Sequence, residues 1–213
     1  MPEYRRFQPR WVVHEDSELL LVAKPAGLLT HASADKSRLN LVDLLRQARP
    51  ELSGLTLQHR LDRETSGLLL FTLGDALRAP VAQAFAQRQV HKEYLCWVRG
   101  KRLNASWTVQ APLQQRSGRV SVGPGQEACT EFTLLRRQGS YCLLQARPLS
   151  GRKHQIRVHL AHQRLPIVGD TLYGGEPADR LLLHAHRLEL DLPGHGGLRS
   201  WTAPPEADFT PPV

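Results

Sequence analysis

Cysteine, methionine and lysine are scarce in this 213-residue chain: three cysteines (Cys96, Cys129 and Cys142), one methionine and five lysines. Three scattered cysteines make neither a disulfide framework nor a CxxC metal pair, and each stands in an apolar or alternating stretch, so they read as buried thiols. No run approaches the ~18 to 20 apolar residues of a membrane-spanning helix, which excludes a helical membrane protein. The N-terminal MPEYRRFQPRW lacks the apolar stretch of roughly 7 to 15 residues at the heart of a signal peptide, so the expected location is the cytoplasm. Internal repeats, low-complexity tracts and long linkers are also missing. The expectation is one domain over 1–213, with 1–10 and 206–213 as irregular tails.

What the chain has in excess is arginine. Its 28 Lys plus Arg against 20 Asp plus Glu leave a net charge of +8, and 23 of the 28 are arginine. Such a surface attracts polyanions, and the planar guanidinium fork suits phosphate oxygens and the faces of bases.

Hydrophobic periodicity supplies the elements. ELLLVA at 18–23 reads as a strand ending in the turn Lys24-Pro25-Ala26-Gly27. Leu41, Leu44, Leu45 and Ala48 recur at helical spacing up to Pro50, LLLFTL at 68–73 reads as a buried strand, and a second helix is expected over 75–89. Strand texture follows at 93–100, 129–136, 141–148 and 181–190, with a long loop or hairpin at 111–128 and a third helix at 152–163. Strands outnumber helices without alternating with them. The expected class is α+β: a mixed, mainly antiparallel sheet flanked by helices and loops.

Two polar blocks carry chemistry. HRLDRETSG at 59–67 sets Asp62 between arginines just ahead of a buried strand, where sites tend to sit, although a loop ion pair or helix cap would give the same pattern. SGRKHQIRVH at 150–159 opens a helix with concentrated cations, a pattern that fits a phosphate-binding N-terminus or a solvated basic face.

Together these blocks resemble the RluA family of RNA pseudouridine synthases. HRLDRETSGLLLF is similar to that family's central motif and SGRKHQIRVHLAHQRLPIVGDTLYG to its downstream motif. LLVAKPAGLLTH resembles the upstream Lys-Pro element, KEYL at 92–95 the tyrosine motif, and LLLHAHRLEL the closing strand. The resemblance runs in order over about residues 12–205. With some ten residues ahead of it, the expectation is a catalytic domain without an appended N-terminal RNA-binding domain.

The resemblance implies isomerisation of a uridine in RNA to pseudouridine: the N-glycosidic bond breaks and the base rejoins the sugar through C5. It implies Asp62 as the catalytic aspartate, Tyr94 as a stacking platform for uracil and Arg157 as the cation paired with Asp62. Such a cation would keep a poorly solvated carboxylate ionised. It further implies Arg60 as the residue filling the gap left by a flipped nucleotide, with Arg152 and Lys153 as phosphate ligands. The reaction needs no redox change or group donor, so no cofactor is expected. His154, His159 and His162 spread round a helix rather than gathering on one face, so no metal is expected either. His59 and His184 read as packing or hydrogen-bonding residues.

Two other readings compete. A uracil-releasing N-glycosidase would want a second carboxylate, for which the central motif offers only Glu64. A catalytically silent RNA-binding protein fits the charge but leaves Asp62, Tyr94 and Arg157 without purpose. The expected partner is a transfer or ribosomal RNA stem-loop, transfer RNA slightly preferred, bound by a monomer.

Overall fold

The computed structural model describes residues 4–35, 37–100, 102–192 and 197–212. Cα packing divides the chain into two compact units, Met1–His91 with Ala185–Pro205 and Lys92–His184 with Glu206–Val213.

In the first unit β1 (Val12–Glu15) turns into β2 (Leu19–Lys24) through Asp16, whose Oδ1 accepts from the backbone N–H of Glu18 and Leu19. Next come α1 (Leu41–Ala48), the two-residue β3 (Thr56–Leu57), β4 (Ser66–Thr72) and α2 (Arg78–Ala86). β1, β2, β4 and β3 pair antiparallel in that order. All seven residues of β4 are buried, because its apolar run has no polar face to give to water. Asn40 caps α1 by accepting from the Asp43 N–H, and Leu41, Leu44 and Leu45 turn inward as their spacing predicts. α2 is shorter than the expected 75–89. It begins with Pro80 in its first turn, where a missing N–H costs nothing, and Arg88 in the left-handed region ends it.

The second unit holds β5 (His91–Arg99), β6 (Ser106–Gln110), β7 (Leu113–Arg116), β8 (Arg119–Val122), β9 (Cys129–Gln138), β10 (Tyr141–Pro148) and α3 (Gln155–His162). β5, β10, β9 and β6 form successive antiparallel pairs. β7 and β8 make a separate hairpin whose two loop residues, Ser117 and Gly118, both have positive φ, the tight turn whose twist matches paired strands. α3 buries Ile156 and Leu160 against Cys96, Val98, Leu144 and Ala146. It starts three residues later than expected: Lys153 and His154 form a turn and His154 is left-handed (φ 54°). β11 (Leu183–Leu192) then carries the chain back into the first unit, where β12 (Gly197–Thr202) pairs with it antiparallel.

The α+β class with mainly antiparallel pairing is what the sequence predicts. No helix among the described residues is long and apolar enough to cross a membrane. Cys96 and Cys142 are buried thiols, whereas Cys129, at the start of β9, is half-exposed, a correction to the reading of all three as buried. Of the two expected tails, residues 1–3 and 213 lie outside the described residues. Phe7 and Trp11 are buried edge to face, and Phe209 is buried with its carbonyl accepting from the Trp97 indole N–H, so both tails are anchored by aromatic side chains.

Candidate active site

In the first unit the site is a clamped loop. Lys24, at the end of β2, is 1% exposed, and its ammonium donates to three backbone carbonyls: Pro25 (2.9 Å), Leu28 (2.8 Å) and Arg63 (3.0 Å). A buried ammonium is tolerated when each of its three protons finds an acceptor, and here they do. The buried Thr30 hydroxyl donates to the Leu61 carbonyl (2.8 Å) and accepts from the Leu61 N–H (3.2 Å). The Gly27 N–H also donates to the Arg63 carbonyl (2.8 Å). The residues on either side of Asp62 are therefore tied to the Lys-Pro element. Asp62 itself is half-buried, at the head of a turn in which its carbonyl accepts from the Thr65 N–H.

Beyond that turn Gly67 has φ 114°, and a Cβ there would overlap the Ala185 carbonyl, so the chain can enter β4 this way only as glycine. Glu64 is ion-paired with Arg63 (2.9 Å) and Arg60 is exposed. His59 is a packing residue, as expected: its ring stacks on Phe85 and its Nε2 accepts from the Leu70 N–H.

In the second unit Tyr94 is half-buried on the face of β5 that α3 covers, packed against the cluster of Cys96, Val98, Ile156 and Leu160. Two residues earlier Lys92 holds its Nζ beside Gly151, and burial pulls its pKa below the usual lysine range.

The turn leading into α3 is pinned by Gln155. Its Oε1 accepts from the Ser150 hydroxyl (2.8 Å) and the Arg152 N–H (3.1 Å), and its Nε2 donates to the Cys129 carbonyl and to Thr130 Oγ1. Thr130 in turn meets His159 Nδ1 at 2.9 Å, and His159 Nε2 meets the Ala111 carbonyl at 3.0 Å. A carbonyl only accepts, so Nε2 carries the proton and Nδ1 accepts from the threonine. His159 is thus a buried, satisfied histidine with its pKa pushed down by burial.

Arg157 is 4% exposed and makes a bidentate pair with Asp170, Nε to Oδ2 and Nη2 to Oδ1, both 2.8 Å. Its guanidinium lies over the Tyr173 ring, 5.2 Å from the centroid, and the Tyr173 hydroxyl meets His154 Nδ1 at 2.8 Å. Sequence reasoning missed Asp170 and Tyr173, although both stand in the GDTLYG segment of the block that contains Arg157. Arg152 and Lys153 line a cleft of about 480 Å³ with Gln114, Gln115, Arg116 and Gln126. Among the described residues no group of three or more His, Cys, Asp or Glu is arranged to hold a metal.

Asp62 and Arg60 thus belong to the first unit, and Tyr94, Arg152, Lys153 and Arg157 to the second. The profile of the RNA pseudouridylate synthase family matches residues 18–162, a span that takes in Asp62, Tyr94 and Arg157. The chain belongs to that family.

Curated relatives of this synthase family include ribosomal large subunit pseudouridine synthase C of Salmonella typhi, 34% identical over 210 residues, covering 91% of this chain and 66% of the relative. Ribosomal large subunit pseudouridine synthase D of Xylella fastidiosa is 36% identical over 174 residues, covering 78% of this chain and 52% of the relative. The chain thus spans between half and two thirds of the length of these relatives. Among solved structures, human RNA pseudouridylate synthase domain containing 4 superposes with a TM-score of 0.77 at 26% identity, covering 94% of this chain and 90% of that one. The domain containing 1 protein gives 0.79 at 25% identity, covering 91% and 82%.

Proposed function

We propose that this protein isomerises uridine in structured RNA to pseudouridine. The observation that carries the reading is the family's central motif held as a clamped loop, with Lys24 and Thr30 gripping the residues on either side of Asp62. A carboxylate so presented can attack the ribose or abstract a proton, and either act starts cleavage of the N-glycosidic bond. The base then rejoins through C5, so atoms balance without a cofactor, and no metal is called for.

Tyr94 supplies the stacking face for uracil, and Arg157 the guanidinium of the reacting site. Arg60 takes the place of the extruded nucleotide, while Arg152 and Lys153 hold phosphates from the wall of their cleft. The names of the two bacterial relatives weigh toward ribosomal over transfer RNA. The protein acts in the cytoplasm, as a monomer.

The test is to incubate the protein with total RNA from its host lacking the gene and map pseudouridine at nucleotide resolution. New pseudouridines at defined positions are expected. Free uracil in place of pseudouridine would establish the glycosidase, and tight binding with neither product the silent binder.

A further inference from the structure

What an arginine contributes to a reaction depends on how its guanidinium is oriented. The guanidinium has an inner edge, Nε–H with one Nη2–H, that matches the two oxygens of a carboxylate, and outer hydrogens on Nη1 and Nη2 that point elsewhere. In Arg157 the inner edge is taken up by Asp170, at 2.8 Å on both contacts, with side-chain exposures of 5% and 0%. The Tyr173 ring below fixes the plane of the guanidinium, and the two-point pair fixes its rotation within that plane. A side chain so constrained presents its outer hydrogens in one direction.

Asp170 is itself rigidly mounted. Its N–H donates to the Ile167 carbonyl (3.0 Å), its carbonyl accepts from Gly175 (2.8 Å), and its Oδ1 also accepts from the Tyr173 N–H (3.3 Å). Gly169 has φ 81°, and a Cβ there would overlap the Arg180 carbonyl, so the turn takes this path only as glycine. Ile167 bridges to Val98 of β5, which joins this turn to the strand that carries Tyr94.

The pair is also electrically neutral. Whatever Asp170 does for a reaction at Arg157, it does not add positive charge; its contribution is orientation. We propose that Asp170 is a positioning residue for the isomerisation, holding the inner edge of Arg157 and so fixing the orientation of its guanidinium. This rests on the role proposed above for Arg157.

The experiment measures single-turnover rate at saturating RNA, RNA affinity and thermal melting for Asp170→Asn in two backgrounds, wild type and Arg157→Lys. Asparagine keeps the shape but turns an N–H donor against the guanidinium. Misplacement of a reacting group by about 1 Å costs on the order of 100-fold in rate, and that is the fall expected, with RNA affinity within about threefold of wild type. Lysine has no edge to orient, so in the Arg157→Lys background the same substitution should change the rate by less than about threefold.

An equal fold-loss in both backgrounds, or a wild-type rate for Asp170→Asn, overturns the positioning role. If Asp170→Asn does not fold, Tyr173→Leu removes the ring beneath the guanidinium and leaves the ion pair; a rate reduced about tenfold supports the proposal and an unchanged rate overturns it. Asp62→Asn separates the two levels. Its inactivity beside a fully active Asp170→Asn removes only the positioning role, whereas a wild-type protein that forms no pseudouridine removes the functional reading and this proposal together.

Discussion

Lys24 shows how one buried side chain can fix a loop through its backbone. Its ammonium holds three carbonyls, two in the Lys-Pro turn and one at Arg63, next to Asp62. Methionine fills the same space and strands those carbonyls, and hydrogen bonds to a charged group are worth about 1.5 to 3 kcal/mol each. We expect Lys24→Met to lose about 3 kcal/mol or more in denaturant unfolding and to lower the single-turnover rate as the loop loosens. Arginine should not restore either property, because its planar fork cannot meet three converging carbonyls. Unchanged unfolding of Lys24→Met would show that the clamp does not bear on the loop. Sequence reading placed Lys24 in a turn but could not find this role, because backbone carbonyls leave no trace in side-chain identity. Asp170 was hidden for a related reason: its partner lies 13 residues away, and nothing in the intervening sequence marks a buried pair.

At the scale of elements, legibility followed burial. β4 and α1 were readable because a wholly apolar run and an i, i+3, i+4 pattern each admit few interpretations. β1, β3, β6 and β12 went unread. β12 is a half-exposed ribbon, β3 has two residues, and in β6 only Val109 is fully buried, so their pairing comes from the neighbouring strand more than from their own pattern.

The start of α3 was misplaced because SGRKH resembles a helix N-terminus, while the observed start is set by Gln155 reaching back to Ser150 and Arg152. That latch continues through Thr130 to His159 and gives α3 a pH dependence. The folded state holds His159 neutral, with its pKa lowered by burial, whereas the unfolded chain takes up a proton near the ordinary value of about 6.5. The unfolded state therefore binds more protons as pH falls below about 6.5, and stability declines there. Melting temperature should drop between about pH 7 and 5, and part of that slope should vanish in His159→Gln. An identical slope in both proteins would mean that His159 is protonated in the fold as readily as out of it.

For the whole molecule, the proposed function has the +8 charge set the range of the interaction with RNA and Asp62 set its outcome. Two phosphate contacts, from Arg152 and Lys153, should weaken RNA affinity roughly 7- to 12-fold between about 50 and 200 mM salt. A flat salt dependence would contradict an electrostatic RNA surface. The central claim is that Asp62 performs the isomerisation, and it is tested most directly by single-turnover pseudouridine formation with Asp62→Asn on the RNA that the wild-type protein modifies. Asparagine keeps the shape of the loop and removes both charge and nucleophile, so RNA affinity should stay near wild type while product formation disappears. More than about one hundredth of the wild-type rate, a loss of less than about 2.7 kcal/mol in transition-state stabilisation, would contradict the assignment.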